Sequence, residues 1–288
     1  MISHPEKVMF PDDGISKGEL ASYYETVADV MLPHIRRRPV TMERYPSGIG
    51  KSGFMQKNVT KGFPAWLKRV DATKKGGVVH HPVVSDARSL LWLANQNCIT
   101  PHVGMARAPD LYRPDICVFD LDPSRDEPGA VHAAALALRD LLAELGLPNW
   151  VKTSGSKGFH IVVPLNRKAS FEESFAFAHT VAQELVTRDP SHLTLEFSKA
   201  DRGGRIYVDT GRNGYGATYA APYAVRPIRG APVSAPCTWD EIEAGTVHPQ
   251  SFTLRTMPQR ITEVGDLWAG VYRRGRSLRR PLSRLQAS

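Results

Sequence analysis

Apolar positions along the chain follow two patterns, a helical spacing of three or four residues and short runs or alternations typical of strands. Ser16 and Glu19 have the spacing of a capping box, which predicts a helix from Ser16 to about Arg36. We expect Pro33 to kink or end this helix. Its predicted apolar face contains Leu20, Tyr23 or Tyr24, Val27, Val30, Met31 and Ile35.

Three further segments have helical features, and each has a recognisable boundary. Asp86 caps the first of them, and Gly146 follows the end of the second as a glycine stop. Ser170 and Glu173 form a second capping box that opens the third. The predicted helices comprise residues 86–94, 128–145 and 170–188.

Runs rich in β-branched and aromatic residues, bounded by turn residues, predict the strands. These runs comprise residues 40–45, 78–84, 98–103, 115–124, 150–153, 159–164, 193–197 and 205–209. We find no internal repeat, and strands and helices do not alternate strictly. This arrangement favours an α+β fold with a mixed or antiparallel sheet over a doubly wound α/β fold.

The strand predicted over residues 115–124 ends in two carboxylates. Because side chains alternate along a strand, Asp120 and Asp122 share one face with Ile116 and Val118, about 6–7 Å from each other. Two negative charges this close repel each other unless a cation lies between them. Mg²⁺ and Mn²⁺ prefer carboxylate oxygens, so the pair favours a metal site over a simple Asp-Pro turn.

A second predicted strand, residues 205–209, also ends in a carboxylate, Asp209. If this strand lies beside the first, three carboxylates meet at one place. Three carboxylates can hold one or two metal ions for phosphoryl transfer, where the ions stabilise the attacking and leaving oxygens. The alternative is that Asp209 is a turn residue, and the sequence alone leaves both possibilities open.

The segment between strands 150–153 and 159–164 contains two glycines, two hydroxyls and a lysine, and His160 follows it. Glycines let backbone N–H groups approach phosphate oxygens, and Ser154, Ser156 and Lys157 add donors and positive charge. The segment lacks the spacing of a Walker A loop. A glycine-rich hairpin turn is the alternative, but the concentration of donors favours a phosphate-binding loop.

Composition is ordinary for a globular protein, with 23% charged and 42% hydrophobic residues among 288. The net charge is +8, and six arginines lie in residues 271–288. Residues 44–75 contain eight basic residues, Lys57 among them, and one acid, interleaved with Tyr45, Phe54, Phe63 and Trp66. Such a segment is either a nucleic-acid surface or a solvated loop face. Arg202 and Arg205 form a basic turn beside Asp209.

Several protein classes are disfavoured. The chain has no apolar run of membrane-spanning length and no signal peptide at its first residues, so we expect no membrane association. Its three cysteines, Cys98, Cys117 and Cys237, are far apart and form no CxxC motif. Structural zinc and a disulfide framework are therefore not expected, and a reduced, cytoplasmic location fits best.

Three motifs occur in a fixed order: Phe-Asp-Leu-Asp-Pro at residues 119–123, Thr-Ser-Gly-Ser-Lys-Gly-Phe-His at 153–160 and Tyr-Val-Asp at 207–209. Together they resemble the archaeo-eukaryotic primase superfamily, and more narrowly the polymerase domain of bacterial ligase D and its stand-alone primase-polymerase relatives. The resemblance extends from Glu6 to Arg255. Each motif alone would be weak, whereas the ordered set is specific.

This resemblance implies a single polymerase or primase domain over residues 1–288. It would contain an N-terminal α/β module of about residues 1–105, an RRM-like catalytic core of about 106–270 and a basic tail of 271–288. It implies that the catalytic and metal-binding residues are Asp120, Asp122 and Asp209. The nucleotide-binding set is His102, Ser154, Ser156, Lys157, His160 and Arg226.

The DNA-binding set has two origins. By resemblance, Lys7 and Lys17 would bind a 5′-phosphate at a break or gap, and Phe54 would stack on the template. We add Lys57 from the basic segment and Arg202 from the basic turn. The implied cofactor is Mn²⁺ or Mg²⁺, with NTP or dNTP as substrate. The implied partners are DNA with gaps or double-strand breaks, especially with 5′-phosphorylated ends, together with Ku and a DNA ligase.

The implied function is template-dependent nucleotidyl transfer that fills gaps and extends 3′-OH ends in non-homologous end joining, with a preference for ribonucleotides, near the nucleoid. Three alternatives remain. A gap-filling polymerase of excision repair would use the same chemistry. A haloacid-dehalogenase-type phosphatase would use Asp120 as nucleophile and Asp122 as acid and base. A non-catalytic DNA-binding scaffold would use only the basic surface.

Overall fold

The structure is a computed structural model that describes residues 2–60, 62–125 and 129–287, with side chains described through residue 285. Pro128, the first residue of the helix that we predicted over residues 128–145, lies outside the described residues. So do both ends of the predicted domain, residues 1 and 288. Within the described residues, no helix combines the length and the apolar character needed to cross a membrane.

The strands are short, and most contain three to eight residues. In chain order they are β1 (Val8–Phe10), β2 (Ile15–Ser16), β3 (Val40–Arg44), β4 (Phe54–Gln56), β5 (Arg69–Lys74), β6 (Gly77–Pro82), β7 (Cys98–Gly104), β8 (Ala106–Arg107), β9 (Asp110–Pro114), β10 (Ile116–Pro123), β11 (Trp150–Thr153), β12 (Phe159–Pro164), β13 (Leu193–Thr194), β14 (Ile206–Asp209), β15 (Thr218–Ala220) and β16 (Pro236–Cys237).

In chain order the helices are α1 (Lys17–Thr26), α2 (Ala28–Ile35), α3 (Ala87–Asn95), α4 (Ala130–Glu144), α5 (Phe171–Arg188), α6 (Trp239–Glu243), α7 (Met257–Val264) and α8 (Arg279–Ala287). The helices include two long ones, α4 and α5.

The chain forms two compact units, each made of separate segments. The first contains Met1–Leu111, Thr218–Ala235 and Gln250–Asp266, and the second contains Tyr112–Ala217, Pro236–Pro249 and Leu267–Ser288. Our division into a module of residues 1–105 and a core of 106–270 therefore differs from the structure. The reason is strand pairing, because β15 returns to the first unit and pairs with β7.

In the first unit, β15, β7, β3 and β4 form an antiparallel sheet in that order. The predicted long helix is divided into α1 and α2 at Val27, whose φ of −90° and ψ of 2° leave the helical region. The Thr26 hydroxyl donates to the carbonyl of Ser22, a contact that bends helices. Pro33, where we expected the kink, lies inside α2. The predicted apolar face is buried except for Val30, which is half-buried.

In the second unit, a six-stranded sheet has the order β13, β14, β10, β12, β11, β16. Its pairs are antiparallel except for β13 and β14, which are parallel. The helices α4 and α5 pack against β10, whose apolar residues are fully buried. This mixed sheet confirms the predicted α+β class. β10, the strand that carries Asp120, lies in the middle of this sheet between β14 and β12.

Two of the differences from our strand and helix predictions lie in the second half of the chain. The strand predicted over residues 193–197 ends at Thr194, because the Thr194 hydroxyl accepts a hydrogen bond from the backbone N–H of Glu196 at 3.1 Å. Beyond Gly211, where we predicted mainly turns, the structure contains β15, β16, α6, α7 and α8. A capping box of Thr238 and Glu241 opens α6 and was detectable in the sequence.

Candidate active site

Four ionisable side chains lie in one row across four neighbouring strands of the second unit. Asp120 on β10 is directly opposite His160 on β12 and directly opposite Asp209 on β14. Lys152 on β11 is in turn opposite His160. Residues opposite each other in a sheet share a face, and Asp122 shares this face because it lies two positions from Asp120. We call Asp120, Asp122 and Asp209 the carboxylate cluster.

Lys152 determines how His160 interacts with the cluster. The Lys152 side chain is fully buried, and its Nζ lies 2.6 Å from His160 Nδ1. Because a lysine ammonium group only donates hydrogen bonds, Nδ1 must accept. The remaining ring nitrogen, Nε2, therefore carries the hydrogen, and it lies 3.3 Å from Asp120 Oδ1. The hydrogen-bond network thus assigns the tautomer that donates to the carboxylate.

Two arginines neutralise the cluster. Arg212 Nε lies 3.3 Å from Asp120 Oδ2 and 3.5 Å from Asp209 Oδ2. Arg202 Nη1 lies 2.9 Å from Asp122 Oδ2, and its guanidinium group covers the ring of Tyr207 at 4.5 Å. Arg202 is buried, so the guanidinium group that we assigned to DNA is instead held at the carboxylate cluster.

The two facing carboxylates have opposite pKa shifts. Burial alone would raise the pKa of Asp120, but the interaction with His160 and the positive charges of Arg212 and Lys152 outweigh burial and lower it well below its usual range. Burial raises the pKa of Asp209, and the negative charge of Asp120 adds to this effect against the opposing charge of Arg212. The pair therefore consists of one strong acid and one weaker acid.

The chemistry of the donor set fits a hard divalent cation, because three carboxylates on one face provide oxygen ligands. Within the described part of the chain, however, no group of three or more His, Cys, Asp or Glu side chains is arranged to hold a metal ion. In this structure the guanidinium groups of Arg202 and Arg212 contact oxygens of all three carboxylates.

The loop between β11 and β12, Ser154–Gly158, is a tight turn beside the cluster. The Ser154 hydroxyl oxygen accepts hydrogen bonds from the backbone N–H groups of Ser156 and Gly158, both at 3.1 Å. These two hydrogen bonds to the Ser154 hydroxyl therefore stabilise the turn. Lys157 is exposed, Ser156 is half-buried, and His160 follows within the buried part of β12. The structure thus places the turn directly before β12, whose His160 is opposite Asp120.

His102 and Arg226, the other predicted nucleotide-binding residues, belong to the first unit. His102 Nε2 lies 2.8 Å from Glu43 Oε2 on the neighbouring strand β3. Burial would raise the pKa of Glu43, but the hydrogen bond and charge of His102 and the charge of Arg226 lower it below its usual value. Glu43 therefore brings these two predicted residues together, and nothing in the sequence had indicated it.

The predicted DNA-binding residues Lys7 and Lys17 also lie in the first unit. Lys17 is 2% exposed, and its Nζ donates to the carbonyl and the hydroxyl of Ser3 at 2.7 and 3.0 Å. Lys7 donates to the carbonyl of Pro46. Burial lowers the pKa of Lys17, and the positive charge of Lys7 lowers it further against the opposing charge of Glu6. Two positive charges that affect each other in this way make Lys7 and Lys17 a candidate site for an anion.

The basic segment of the first unit exposes an aromatic side chain. Phe54 on β4 is 47% exposed, and the guanidinium group of Arg44 lies 5.4 Å from its ring centre. Lys57 is also exposed. An exposed ring beside cationic groups is the arrangement that binds unpaired bases.

Sequence reasoning missed three residues at or beside the carboxylate cluster: Lys152, Arg212 and Tyr207. Lys152 was detectable as a charged residue inside an apolar strand, where lysine needs a partner. Arg212 contacts the cluster only because the chain turns back after Asp209, and no local pattern indicates that contact. Tyr207 lies opposite Asp122, and its hydroxyl donates to Asp209 Oδ1 at 3.4 Å.

Comparisons with known proteins agree on one family. The model of the family described as LigD, primase-polymerase domain, matches residues 16–268. The multifunctional non-homologous end joining protein LigD of Mycolicibacterium smegmatis is 35% identical over 271 residues, which are 93% of this chain and 35% of that protein. The bifunctional non-homologous end joining protein LigD of Bacillus subtilis is 32% identical over 270 residues, 93% of this chain and 43% of that protein.

A solved structure agrees with these relatives. The polymerase domain from Mycobacterium tuberculosis ligase D, in complex with DNA, matches with a TM-score of 0.89 and 32% sequence identity, over 96% of this chain and 99% of that chain. The fold and the carboxylate cluster define a polymerase-type nucleotidyltransferase domain. The chain belongs to the LigD primase-polymerase domain family. It spans less than half the length of the two full relatives described above.

These findings confirm the predicted family and enzyme class, and they do not support the phosphatase alternative. The Phe-Asp-Leu-Asp pattern that suggested a phosphatase lies in a strand whose two neighbours are both antiparallel. Its first aspartate is contacted by His160 from β12 and by Arg212 from the turn that follows β14. The same short pattern therefore occurs in a different structural setting.

Proposed function

We propose that the chain adds nucleotides to a 3′-OH in a template-dependent reaction at gaps and broken ends of DNA, as part of non-homologous end joining. One observation carries this proposal: three carboxylates from β10 and β14 share a face beside the Ser154–Gly158 turn. The names of the relatives support the pathway. Ku and a DNA ligase are the partners that this pathway implies, and ribonucleotides are the preferred substrate by family resemblance.

The carboxylate cluster is the proposed metal site, with Asp120, Asp122 and Asp209 as ligands for Mn²⁺ or Mg²⁺. When bound, such ions lower the pKa of an attacking hydroxyl and stabilise the charge on the leaving pyrophosphate. Asp120 is ready for this role because its environment keeps it ionised. His160 holds one oxygen of Asp120, which leaves the orientation of the carboxylate fixed.

The nucleotide site is proposed on the β12 side of the cluster. Lys157 would neutralise phosphate charge, the turn containing Ser154 and Ser156 would orient it, and His160 would link it to Asp120. His102 and Arg226, which interact with Glu43 in the first unit, remain predicted nucleotide-binding residues by family resemblance. Since DNA is the implied partner, a location near the nucleoid in the cytoplasm follows.

A gap-extension assay tests the proposed function. Purified protein is mixed with gapped DNA, with or without a 5′-phosphate at the downstream end, together with single NTPs or dNTPs and Mn²⁺ or Mg²⁺. We expect templated extension that is stimulated by the 5′-phosphate. DNA binding in EDTA without any product under all metal conditions would favour the scaffold alternative instead. If DNA substrates of base excision repair are extended as fast as broken ends, the result would favour a role in that pathway instead.

Lys17→Met is expected to remove most of the stimulation by the 5′-phosphate, because it deletes one of the two ammonium groups of the anion site but keeps the buried stem. A hydrogen bond to a charged group contributes about 1.5–3 kcal/mol, so the stimulation should fall about tenfold or more. The measurement is the extension rate on phosphorylated and unphosphorylated gaps. Lys51→Met, at an exposed position of the same unit, is the matched control. Unchanged stimulation in Lys17→Met would contradict the assignment.

Lys152→Met is expected to lower the extension rate about 10–100-fold, because His160 loses the donor that fixes its tautomer. Because methionine leaves the buried His160 Nδ1 without its donor, a thermal melt checks that the variant is folded under the assay conditions. Lys152 acts through His160, so its effect should nearly vanish in a His160→Asn background.

The measurement is a double-mutant cycle of extension rates with Lys152→Met, His160→Asn and the combined variant. Lys168→Met, at an exposed position of the same unit, controls for loss of a positive charge. Additive losses in the combined variant would show that Lys152 does not act through His160.

A further inference from the structure

Phe197 is exposed to an unusual extent. Its side chain is 80% exposed, the largest value among the large hydrophobic side chains of the described residues. It lies between β13 and β14, where the strand that we predicted over residues 193–197 has already ended. Single exposed apolar residues are common, so exposure alone carries no functional meaning. The case for a function of Phe197 therefore depends on the residues that surround its ring.

The ring of Phe197 is held next to the carboxylate cluster. It meets the Tyr207 ring at 6.2 Å between centres and 87° between planes, and the Tyr207 hydroxyl contacts Asp209. The backbone carbonyls of Glu196 and Phe197 accept hydrogen bonds from Arg202 at 3.1 and 2.9 Å. Because Arg202 also binds Asp122, the segment that carries Phe197 is fixed to the cluster while most of the ring faces solvent.

The position of Phe197 in the sheet indicates what it can contact. The order β13, β14, β10, β12, β11 places Phe197 and Tyr207 on one side of the Asp120 strand and the Ser154–Gly158 turn on the other. If the nucleotide occupies the β12 side, the DNA strand that carries the reacting hydroxyl must approach from the β14 side. Exposed Arg125 and Lys199 lie on this side, as do the acids Glu196 and Asp201.

We propose that Phe197 stacks on the terminal base of the primer strand and so holds the 3′ end at the carboxylate cluster. This inference rests on the proposed polymerase function. A phenyl ring has no hydrogen-bonding group, so the contact would be independent of base identity, as an enzyme that accepts arbitrary broken ends requires. The fixed backbone and the Tyr207 ring preorganise the contact, which lowers the entropic cost of binding.

The test pairs a change in the protein with a change in the DNA. Binding of DNA with a recessed 3′ end is measured by fluorescence anisotropy in EDTA without nucleotide, for the wild type, Phe197→Ala and Phe197→Trp. Each protein is also tested with the primer-terminal base removed and, separately, with the first templating base removed. Phe175→Ala is the matched control, because Phe175 is 41% exposed in the same unit and stacks on His179.

We expect Phe197→Ala to weaken binding about fivefold or more, and Phe197→Trp to retain it. Removing the primer-terminal base should weaken wild-type binding similarly but have little further effect on Phe197→Ala. In extension assays, the KM for primer DNA should rise and the KM for the nucleotide should not. Coupling to the templating base, additive effects of both changes, or equal losses in Phe175→Ala would each overturn the proposal.

This binding experiment does not depend on catalysis. The stacking contact of Phe197 and the proposed polymerase function can therefore be refuted separately. If the wild type extends gapped DNA but Phe197→Ala binds primer ends normally, only the stacking contact is refuted. If the wild type never extends DNA, the proposed function is refuted whatever Phe197 does. Because the ring is mostly exposed, the alanine variant should fold as the wild type does, which a thermal melt checks.

Discussion

Asp120→Asn is expected to reduce primer extension at least about a thousandfold, equivalent to about 4 kcal/mol of lost transition-state stabilisation. Asp120 is the member of the cluster that stays ionised, because His160, Arg212 and Lys152 outweigh the effect of burial on its pKa. Asparagine keeps the shape but removes the negative charge. The proposed metal site would lose its strongest ligand, and His160 would lose the acceptor that orients it.

Two measurements separate this loss from damage to the fold. Mn²⁺ binding followed by calorimetry should weaken in Asp120→Asn. A thermal melt checks that the variant is folded, because the substitution removes the repulsion from Asp209 but also the negative charge that Arg212 and Lys152 face. The control is Asp140→Asn, which changes an exposed carboxylate on α4 in the same unit. Extension at the wild-type rate by Asp120→Asn would refute the assignment of the cluster as the catalytic centre.

The features that depend on short local patterns could be predicted from the sequence. Alternation along β10 places Asp120 and Asp122 on one face, and the limits of β11 and β12 agree with the predicted strands residue by residue. The Ser170 capping box forms with both of its reciprocal hydrogen bonds. The Ser16 box forms only in part, because Glu19 binds Arg255 at 2.8 Å instead. Local patterns succeed where no distant partner competes.

The electrostatics of the site could not be predicted in this way. Asp120 and Asp209 lie opposite each other because of the register between two strands that are almost ninety residues apart in the chain. Arg212 contacts both carboxylates from the turn that follows β14. Hydrophobic periodicity contains no information about such register. Carboxylates can be predicted to meet, but the cations that set their pKa values are identified only by the folded chain.

The discontinuous units have a similar cause. The segment beyond Gly211 appears in the sequence as a series of turns because its strands contain only two or three residues. Such strands are stabilised by pairing with β7 and β11 and not by their own propensity. Periodicity needs longer segments than these, so the return of the chain to the first unit was not detectable.

Gly158→Ala is expected to destabilise the second unit by about 3 kcal/mol or more and to abolish extension. A Cβ atom at this position would lie 1.7 Å from the backbone carbonyl oxygen of Leu121 and 2.9 Å from its carbonyl carbon. Neither atom can move without separating β12 from β10. The substitution would therefore displace His160 from Asp120 and Lys157 from the predicted phosphate site.

Gly214→Ala provides the matched control for this prediction. Gly214 lies in the same unit with a φ of −74°, and the nearest atom to an added Cβ is the carbonyl oxygen of Gly211 at 3.5 Å, an ordinary contact. Urea denaturation should show wild-type or slightly higher stability for Gly214→Ala and a markedly lower midpoint for Gly158→Ala. Equal midpoints for the two variants would mean that the turn is not packed against β10 as described. The close approach of this turn to β10 is what places the predicted phosphate-binding loop beside the carboxylate cluster, so the stability of the turn and the chemistry of the site depend on the same glycine.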